Sequence, residues 1–324
     1  MRKLKVAIIG MGGVGCYYAG MLARAGYEVW GLARGANLDA IRKSGLQVRT
    51  PDESWTVKIN VSKNAGEISD AFGAGDLAIV ATKAYSLEEV SPAVRLFSQR
   101  GATILPLLNG VDAAERLIML GVSASQILGG VTYISAVRTA PGMVERKSPF
   151  QRVIVGENLG GLSDRARQIA AMFADAGVEA SATDNITLAL WQKFIFLASI
   201  SGVCGLAHSP VGAVRQTTAG KGMFERAIGE AVAVGRARGV PLPENEEARV
   251  LAQIESLPEG TRPSLLLDLE AGSPTEVEVL SGAISRMGDE MGIETPVHDV
   301  AAAAFRLAMG TAREAPSRPP KDSS

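Results

Sequence analysis

Residues 4–15 read LKVAIIGMGGVG, a short apolar run that leads directly into a glycine-rich loop. The run from Leu4 to Ile9 has the length of a strand and no polar alternation, which is typical of a strand buried on both faces of a parallel sheet. The loop has the spacing G-x-G-x-x-G, and an amphipathic segment to about Ala25 follows it. A strand, this loop and a helix in that order predict a turn that holds the phosphates of a dinucleotide at the helix N-terminus.

The three glycines of the motif have distinct expected roles. Gly10 allows the tight turn, Gly12 lets the backbone approach a pyrophosphate, and Gly15 lets the helix pack closely on the strand. The alternative is a glycine-rich turn that binds nothing, and the position of the loop between a strand and a helix disfavours it. We therefore expect the cofactor to be bound by the whole loop, which consists of Gly10, Met11, Gly12, Gly13, Val14 and Gly15.

The end of the second predicted strand, Tyr27 to Ala33, indicates which dinucleotide is bound. Proteins that bind NAD(H) usually carry an acidic residue near this strand end, where it holds a ribose hydroxyl. No acidic residue lies between Trp30 and Leu38, and Arg34 follows the strand instead. Because a guanidinium can bind two oxygens of a phosphate, Arg34 favours NADP(H), with a solvated surface arginine as the alternative.

Two further strands, predicted over 76–82 and 102–108, end at polar residues. Lys83 follows the first strand and Asn109 follows the second. Ligands of open parallel sheets bind beyond the carboxyl ends of the strands, so both residues are candidate cofactor contacts and Asn109 is also a candidate substrate contact. The alternatives are a solvated lysine at a helix start and an Asn-Gly turn without a ligand.

The remaining segments define the fold class. Alternating residues between 46 and 62 are typical of a hairpin, and a strand over 127–137 with shorter strands up to 156 suggests an antiparallel edge on the parallel sheet. Beyond Asp184 only helical patterns remain. The sequence therefore predicts an α/β protein with an N-terminal Rossmann-type doubly wound sheet plus an all-α C-terminal domain.

We expect residues 1–182 to form the NADP(H)-binding domain and residues 183–310 to form a helical domain for substrate binding and dimerisation. The tail, residues 311–324, is polar and proline-rich, so we expect it to be disordered. The helices predicted in the second domain cover 184–205, 219–238, 244–257, 264–271, 275–292 and 297–309.

Composition disfavours several classes of protein. The 324 residues carry a formal net charge of −1, which provides no basic surface for nucleic acid. The apolar runs are shorter than the roughly 18 residues that span a bilayer, so we expect no membrane segment. Cys16 and Cys204 lack a metal or redox spacing, as is typical of a cytoplasmic protein. His208 and His298 stand far apart in the sequence, with no cluster of carboxylates or cysteines nearby, so no metal site is expected.

One helix of the second domain contains an unusual lysine. Residues 184–205 read DNITLALWQKFIFLASISGVCG, and nearly every residue after Lys193 is apolar or small. Burial in such a helix disfavours the charged form of a lysine. Either Lys193 has a catalytic function, or it lies near the buried end of the helix and extends its ammonium group to water. This segment alone does not decide between the two.

Taken together, these motifs resemble those of the ketopantoate reductases, also called 2-dehydropantoate 2-reductases. The resemblance extends from the glycine loop to about residue 309. It implies an NADPH-dependent reduction of a 2-keto acid, 2-dehydropantoate, to pantoate for pantothenate and coenzyme A synthesis, carried out by a homodimer. Its landmarks, in order, are GMGGVG (10–15), Arg34-Gly35, Lys83-Ala-Tyr, Asn109-Gly110, Trp191-Gln-Lys193, Ser264-Leu-Leu-Leu-Asp268 and Thr275-Glu276.

The resemblance also implies roles for individual residues. Lys193 matches the general acid that protonates the reduced carbonyl oxygen, and Glu276 matches the carboxylate that binds the substrate hydroxyl and helps to hold the lysine. Ser264 matches a contact to the substrate carboxylate, and Asn109 matches an asparagine that lies near both substrate and cofactor. The other positions that match cofactor contacts are Arg34 and Lys83.

The lysine helix departs from the family pattern. The family has asparagines four and eight residues after the lysine and a third in the following loop, and these positions are Leu197, Ser201 and about Val211 here. Lys193, Leu197 and Ser201 share one helix face, so Ser201 remains as a candidate substrate contact. A less polar 2-keto acid is therefore an alternative substrate. A protein that senses NADP(H) without turnover is the alternative from another functional class.

Overall fold

The structure is a computed structural model that describes residues 3–310. The tail predicted to be disordered, residues 311–324, lies outside the described residues. The chain divides into two compact units, Met1–Leu190 and Trp191–Ser324, which we call the N-terminal unit and the helical unit.

In chain order, the strands are β1 (Lys5–Ile9), β2 (Glu28–Leu32), β3 (Leu46–Arg49), β4 (Ser54–Val57), β5 (Asn60–Ser62), β6 (Leu77–Val80), β7 (Thr103–Pro106), β8 (Leu128–Tyr133), β9 (Ala136–Ala140), β10 (Met143–Arg146), β11 (Arg152–Glu157) and β12 (Glu179–Thr183). The α-helices are α1 (Gly13–Arg24), α2 (Gly35–Ser44), α3 (Ala65–Ser69), α4 (Leu87–Gln99), α5 (Ala113–Met119), α6 (Asp164–Asp175), α7 (Ile186–Leu206), α8 (Val211–Arg215), α9 (Thr218–Ala237), α10 (Glu246–Glu255), α11 (Ser264–Glu270), α12 (Ser281–Met291) and α13 (Pro296–Ala308).

A five-stranded parallel sheet forms the centre of the N-terminal unit, with the order β5-β2-β1-β6-β7. Alternate side chains of β1 enter different cores. Val6 and Ile8 belong to the core that includes the apolar side of α1, whereas Ala7 and Ile9 belong to the core that includes α4. Helices therefore cover both faces of the sheet, and the predicted Rossmann-type fold is confirmed. The strand order reverses between β1 and β6, where such folds bind their ligands.

The predicted antiparallel edge is confirmed in part, because β8 is bridged to β7 of the central sheet and pairs antiparallel with β11. The antiparallel pairs lie in two further sheets, one with the order β4-β3-β10-β9 and one with the order β12-β11-β8. An isolated parallel bridge between Ile104 and Ile127 links the start of β8 to β7. The strand predicted over 127–137 is interrupted because Ser135 turns away from β11: its N–H donates to Ser148 Oγ (3.0 Å), and its carbonyl accepts from Lys147 N (2.7 Å). β8 and β9 consequently belong to different sheets.

The hairpin predicted between residues 46 and 62 is confirmed in its first part. β3 pairs antiparallel with β4, in a register that places Leu46 opposite Val57. The last part differs, because β5 leaves the hairpin and becomes the parallel partner of β2 in the central sheet.

The helical unit contains the predicted helices with one important difference. Residues 275–292 do not form a single helix, because Leu280 adopts φ −117° and ψ −105° and separates a short 3₁₀ turn at Val277–Val279 from α12. Thr275 precedes this turn, and its N–H and hydroxyl both donate to Met309 Sδ (3.3 and 3.0 Å). Glu276 therefore lies at the start of a 3₁₀ turn and not inside a helix. The short helix α8 was not predicted.

Helix α7 is long and apolar enough to cross a membrane, which differs from the prediction that the chain has no such segment. Of its most apolar stretch, 56% is buried inside the protein. Core helices of soluble proteins have the same properties, so α7 by itself does not indicate a membrane protein.

Candidate active site

The glycine loop connects β1 to α1 and is packed tightly against its surroundings. Gly10 has φ +103°, a conformation that strongly favours glycine, and a Cβ there would lie 2.6 Å from Thr82 Cγ2. A Cβ at Gly15 would lie 2.0 Å from the carbonyl oxygen of Gly10, so the first turn of α1 can approach the loop only without a side chain. The conformation of the loop therefore requires glycine at both positions.

The middle of the loop has space for a ligand. A Cβ at Gly12 would have no atom within 4 Å. No side chain caps α1, and its first turn contains no acidic residue. Unsatisfied N–H groups and the positive end of the helix dipole favour a phosphate at such a helix start. Val14 is partly exposed in this first turn. The loop consequently fits the pyrophosphate of a dinucleotide.

Met11 anchors the glycine loop through packing of its side chain on β2 and through hydrogen bonds to its carbonyl group. Its buried side chain packs on β2, with Sδ 2.8 Å from the position that a Cβ would take at Gly31. Its carbonyl accepts hydrogen bonds from Asn37 Nδ2 (3.3 Å) and Cys16 Sγ (3.2 Å). Met11 therefore has a structural role in the loop, and its side chain is directed away from the space beside Gly12.

A pair of alanine substitutions should separate binding from folding at this loop. Gly12→Ala should keep the wild-type free energy of unfolding but abolish dinucleotide binding, because its methyl group would enter open space next to the expected pyrophosphate. Gly15→Ala should be destabilised by about 1–3 kcal/mol or more, because its methyl group collides with backbone. Urea unfolding and cofactor fluorescence titration would measure both effects. Wild-type cofactor affinity in Gly12→Ala would contradict the assignment of this space.

Arg34 lies between β2 and α2, where it is the N-cap residue of the helix. Its side chain is 82% exposed, and its guanidinium forms an ion pair with Glu89 of α4. Exposed ion pairs are weak, so a phosphate group could replace Glu89 as the partner of Arg34. The first turn of α2 contains no acidic residue that would repel an anion.

The other two predicted contacts of the N-terminal unit follow strands of the central sheet. Lys83 follows β6 and precedes a 3₁₀ turn at Ala84–Ser86, and Asn109 follows β7. Both are partly exposed. As predicted, both positions lie beyond carboxyl ends of parallel strands.

Two polar groups near these strand ends were not predicted. Thr82 Oγ1 and Asp112 Oδ1 are buried and have no hydrogen-bond partner among residues 3–310. Buried polar groups are nearly always paired, so unpaired ones beyond β6 and β7 are consistent with a polar ligand there. Only the three-dimensional structure reveals this signal, because threonine and aspartate are common in loops.

In the helical unit, Lys193 of α7 interacts with Glu276. Burial of the Lys193 ammonium group lowers its pKa to about 8, while the negative charge of Glu276 acts in the opposite direction. Glu276 is only 6% exposed. The structure thus brings together the two residues that the sequence suggested as catalytic, a desolvated lysine and a buried carboxylate.

The remaining candidates of the helical unit differ in their surroundings. Ser201 is buried in α7, two turns after Lys193, and Leu197 between them is partly exposed. Ser264 is exposed at the start of α11. Val211 is fully buried, and its N–H donates to the carbonyl of Thr261 (3.0 Å). The positions of the missing family asparagines are therefore apolar or carry only a small hydroxyl group.

The segment of α7 next to Lys193 is fixed by its neighbours. Gln192 Nε2 donates to Glu246 Oε2 (3.2 Å), and Glu246 also accepts two hydrogen bonds from Arg249 (2.6 and 2.9 Å). Trp191 packs edge-to-face on Phe194, with ring centroids 5.3 Å apart. These contacts limit the movement of the helix backbone that carries Lys193.

Three other buried titratable groups, His298, Cys16 and Cys204, are poorly suited to donate a proton at neutral pH. Burial lowers the pKa of His298 to about 4, and its ring bonds Ser281 Oγ (3.2 Å) and the carbonyl of Ala227 (3.0 Å). Burial raises the pKa of Cys16 to about 11 and that of Cys204 to about 12, so both remain thiols. Their environments are consistent with structural roles.

Comparison with known proteins identifies the family. Residues 6–160 match the family model described as ketopantoate reductase PanE/ApbA, and residues 185–308 match the model of its C-terminal region. The chain belongs to the ketopantoate reductase family. It is an oxidoreductase of a family that acts on CH–OH groups.

Individual members of the family are similar to this chain along nearly their whole length. The chain is 31% identical to a 2-dehydropantoate 2-reductase of Halobacterium salinarum over 311 residues, which is 94% of this chain and 99% of the relative. A crystal structure of a PanE/ApbA family ketopantoate reductase from Ralstonia eutropha has 31% identity and a TM-score of 0.83, covering 95% of this chain and 99% of that one. D-mandelate dehydrogenase, solved in complex with NADH, has 25% identity and a TM-score of 0.82, covering 95% and 99%.

Proposed function

We propose that this ketopantoate reductase family member reduces a 2-keto acid to the 2-hydroxy acid with NADPH, and that Lys193 is the general acid. The observation that carries the proposal is the interaction of the desolvated Lys193 with the buried Glu276. Two further observations support it: the glycine loop fits a dinucleotide, and curated relatives are named 2-dehydropantoate 2-reductases. Our first choice of substrate is therefore 2-dehydropantoate, with pantoate as the product.

The chemistry of ketone reduction explains why a lysine is needed. A bound reduced nicotinamide would supply the hydride, which forms the new C–H bond at the carbonyl carbon. As the carbonyl π bond breaks, negative charge develops on the oxygen, and the Lys193 ammonium group stabilises it and donates the proton that completes the hydroxyl group. With a pKa of about 8, Lys193 is mostly protonated at neutral pH and still a good proton donor.

The other residues would bind and orient. Glu276 keeps Lys193 charged against desolvation and can accept a hydrogen bond from a substrate hydroxyl group. Ser264, Ser201 and Asn109 are proposed to contact the substrate, and Asn109 is also proposed to contact the cofactor. The proposed cofactor contacts are Gly10, Met11, Gly12, Gly13, Val14, Gly15, Arg34 and Lys83.

The choice of NADPH depends on Arg34. Arg34→Ala should weaken NADPH binding about tenfold or more and change NADH binding little, because only NADPH carries the 2′-phosphate that a guanidinium would bind. Fluorescence titration of both cofactors would measure this difference. Glu89→Gln is the matched control, because it removes the carboxylate that pairs with Arg34 and should leave NADPH binding as tight or tighter. Equal losses for NADPH and NADH in Arg34→Ala would show that Arg34 does not bind the 2′-phosphate.

A less polar 2-keto acid is the second candidate substrate. Leu197 and Val211 support it, since a site with apolar side chains at these positions loses selectivity for hydroxylated substrates. The similarity to D-mandelate dehydrogenase points in the same direction. The test is kcat/KM for 2-dehydropantoate compared with the keto acid that corresponds to mandelate. A higher value for 2-dehydropantoate supports our first choice, and a higher value for the aromatic keto acid supports the alternative.

A role in NADP(H) sensing without turnover is less consistent with the site. A protein that only binds the cofactor does not need a desolvated lysine that interacts with a buried carboxylate. Binding of NADPH without oxidation, over a panel of 2-keto acids, would favour the sensor. As parts of the same proposal, we place the enzyme in pantothenate biosynthesis in the cytoplasm and expect a homodimer.

A further inference from the structure

Strand β9 lies directly against the glycine loop, although it is more than a hundred residues away in the sequence. A Cβ at Gly13 would lie 2.0 Å from the carbonyl oxygen of Ala136, the first residue of β9. The loop can therefore adopt its position beside β9 only with glycine at this point. Side chains of β9 that face α1 are consequently close to the proposed cofactor site.

Arg138 is on the face of β9 that is directed toward α1. It pairs with Val144 of β10, which in turn pairs with Val48 of β3. Directly paired residues share one face of a sheet, and Val48 packs on α1, because a Cβ at Gly20 would lie 2.3 Å from Val48 Cγ2. Arg49 is on the opposite face of the same sheet, since it pairs with Glu145 and not with Val144.

The guanidinium of Arg138 reaches the glycine loop itself. Its Nη1 lies 3.5 Å from the carbonyl oxygen of Met11. The positive charge also acts on the thiol of Cys16 in the first turns of α1, where it opposes the rise in pKa that burial causes. The contact to Met11 thus places the charge of Arg138 at the start of α1.

Nothing in the described part of the chain neutralises this charge. No carboxylate among residues 3–310 lies within ion-pair distance of Arg138, and the first turn of α1 contains no acidic residue. The contact to Met11 is long for a hydrogen bond, so redirecting the guanidinium to another acceptor costs little. The residue is exposed, so a ligand can reach it.

We propose that Arg138 binds the pyrophosphate of the nicotinamide dinucleotide, together with the backbone N–H groups at the start of α1. The inference rests on the proposed function, because it assumes that the glycine loop binds such a cofactor. Arg138 differs in role from Arg34: the pyrophosphate is common to NADPH and NADH, so Arg138 contributes to the affinity for both and does not discriminate between them.

Dissociation constants for NADPH and NADH, measured by fluorescence titration, test this role. Arg138→Met should raise the dissociation constants of both cofactors by a similar factor of about tenfold or more, because each cofactor loses one charge-assisted contact to phosphate. Arg138→Lys should recover part of the affinity, since the charge is retained without the two-pronged geometry. Arg49→Met, on the opposite face of the same sheet, is the matched control and should bind both cofactors like wild type. The loss in Arg138→Met should shrink with added salt.

A second probe distinguishes the pyrophosphate from the rest of the cofactor. ADP should compete with NADPH less effectively in Arg138→Met than in wild type. The competition by AMP, which lacks the pyrophosphate, should change less between the two proteins. Unchanged affinities for both cofactors in Arg138→Met would overturn the assignment of Arg138 alone. A loss confined to NADPH would also overturn it, because Arg138 would then bind the 2′-phosphate. Failure of the wild-type protein to bind either cofactor would overturn the proposed function as well.

Discussion

Replacing Lys193 with alanine should lower the turnover number for keto-acid reduction by about 10²- to 10⁴-fold, the usual contribution of a positioned general acid. The loss should occur in kcat, because the ammonium group interacts most strongly with the charge that develops on the carbonyl oxygen in the transition state. Binding of NADPH should remain close to wild type, since the proposed cofactor contacts belong to the N-terminal unit. Steady-state kinetics and a cofactor titration on the same preparation would measure both quantities.

Two variants control for effects other than the loss of the proton donor. Lys193→Met retains most of the side-chain volume and should be as inactive as the alanine variant, which excludes a packing defect as the cause. Gln192→Ala removes the neighbouring hydrogen bond to Glu246 but keeps the lysine, so it should reduce the rate much less. Wild-type turnover in either Lys193 variant would show that the proton comes from another donor.

The rate of reduction should depend on pH through the same lysine. Since the general acid must be protonated, kcat/KM should be constant below pH 8 and fall about tenfold per pH unit above the lowered pKa of about 8. Oxidation of the hydroxy acid needs the neutral amine as a base, so its rate should rise up to the same pH and then level off. An unperturbed lysine would place both transitions near its ordinary pKa of about 10.4.

Glu276→Gln should move this transition to lower pH. The carboxylate of Glu276 favours the charged form of Lys193, so its replacement by a neutral amide leaves the desolvation uncompensated and lowers the pKa further. The variant should lose activity at pH 8 more strongly than at pH 6. A pH profile with an unchanged midpoint would mean that Glu276 does not act on the lysine and has another role.

Local patterns in the sequence predicted the parts of the fold that depend on near neighbours. The apolar run and the glycine spacing are sufficient for β1, the loop and α1, because Gly10 and Gly15 are required by contacts within the same strand-turn-helix segment or with the residues that directly follow β6. The interruption at Ser135 was missed, since it depends on hydrogen bonds to Lys147 and Ser148 that no periodicity reveals. The same reason applies to Thr275, whose hydrogen bonds to Met309 come from the far end of the unit.

In the candidate site, too, features that depend on near neighbours were predicted, and features that depend on distant segments were missed. Lys193 was recognisable because a lysine in an apolar helix is costly, whereas Glu276 entered only through the family resemblance. Arg138 was missed because it lies just beyond the single strand predicted over 127–137, and its proximity to Met11 arises from sheet pairing across distant segments. Thr82 was missed because only the fold shows that its hydroxyl group is buried without a partner in the described part of the chain.

The most direct test of the central claim is the transfer of hydrogen from the cofactor to the substrate. The purified protein would be incubated with NADPH that carries deuterium at the transferable position of C4 of the nicotinamide, and with 2-dehydropantoate or a less polar 2-keto acid. Mass spectrometry of the product should show a 2-hydroxy acid that carries one deuterium at C2, with one cofactor oxidised for each product formed. Cofactor binding without any labelled hydroxy acid, over the whole panel of keto acids, would contradict the account.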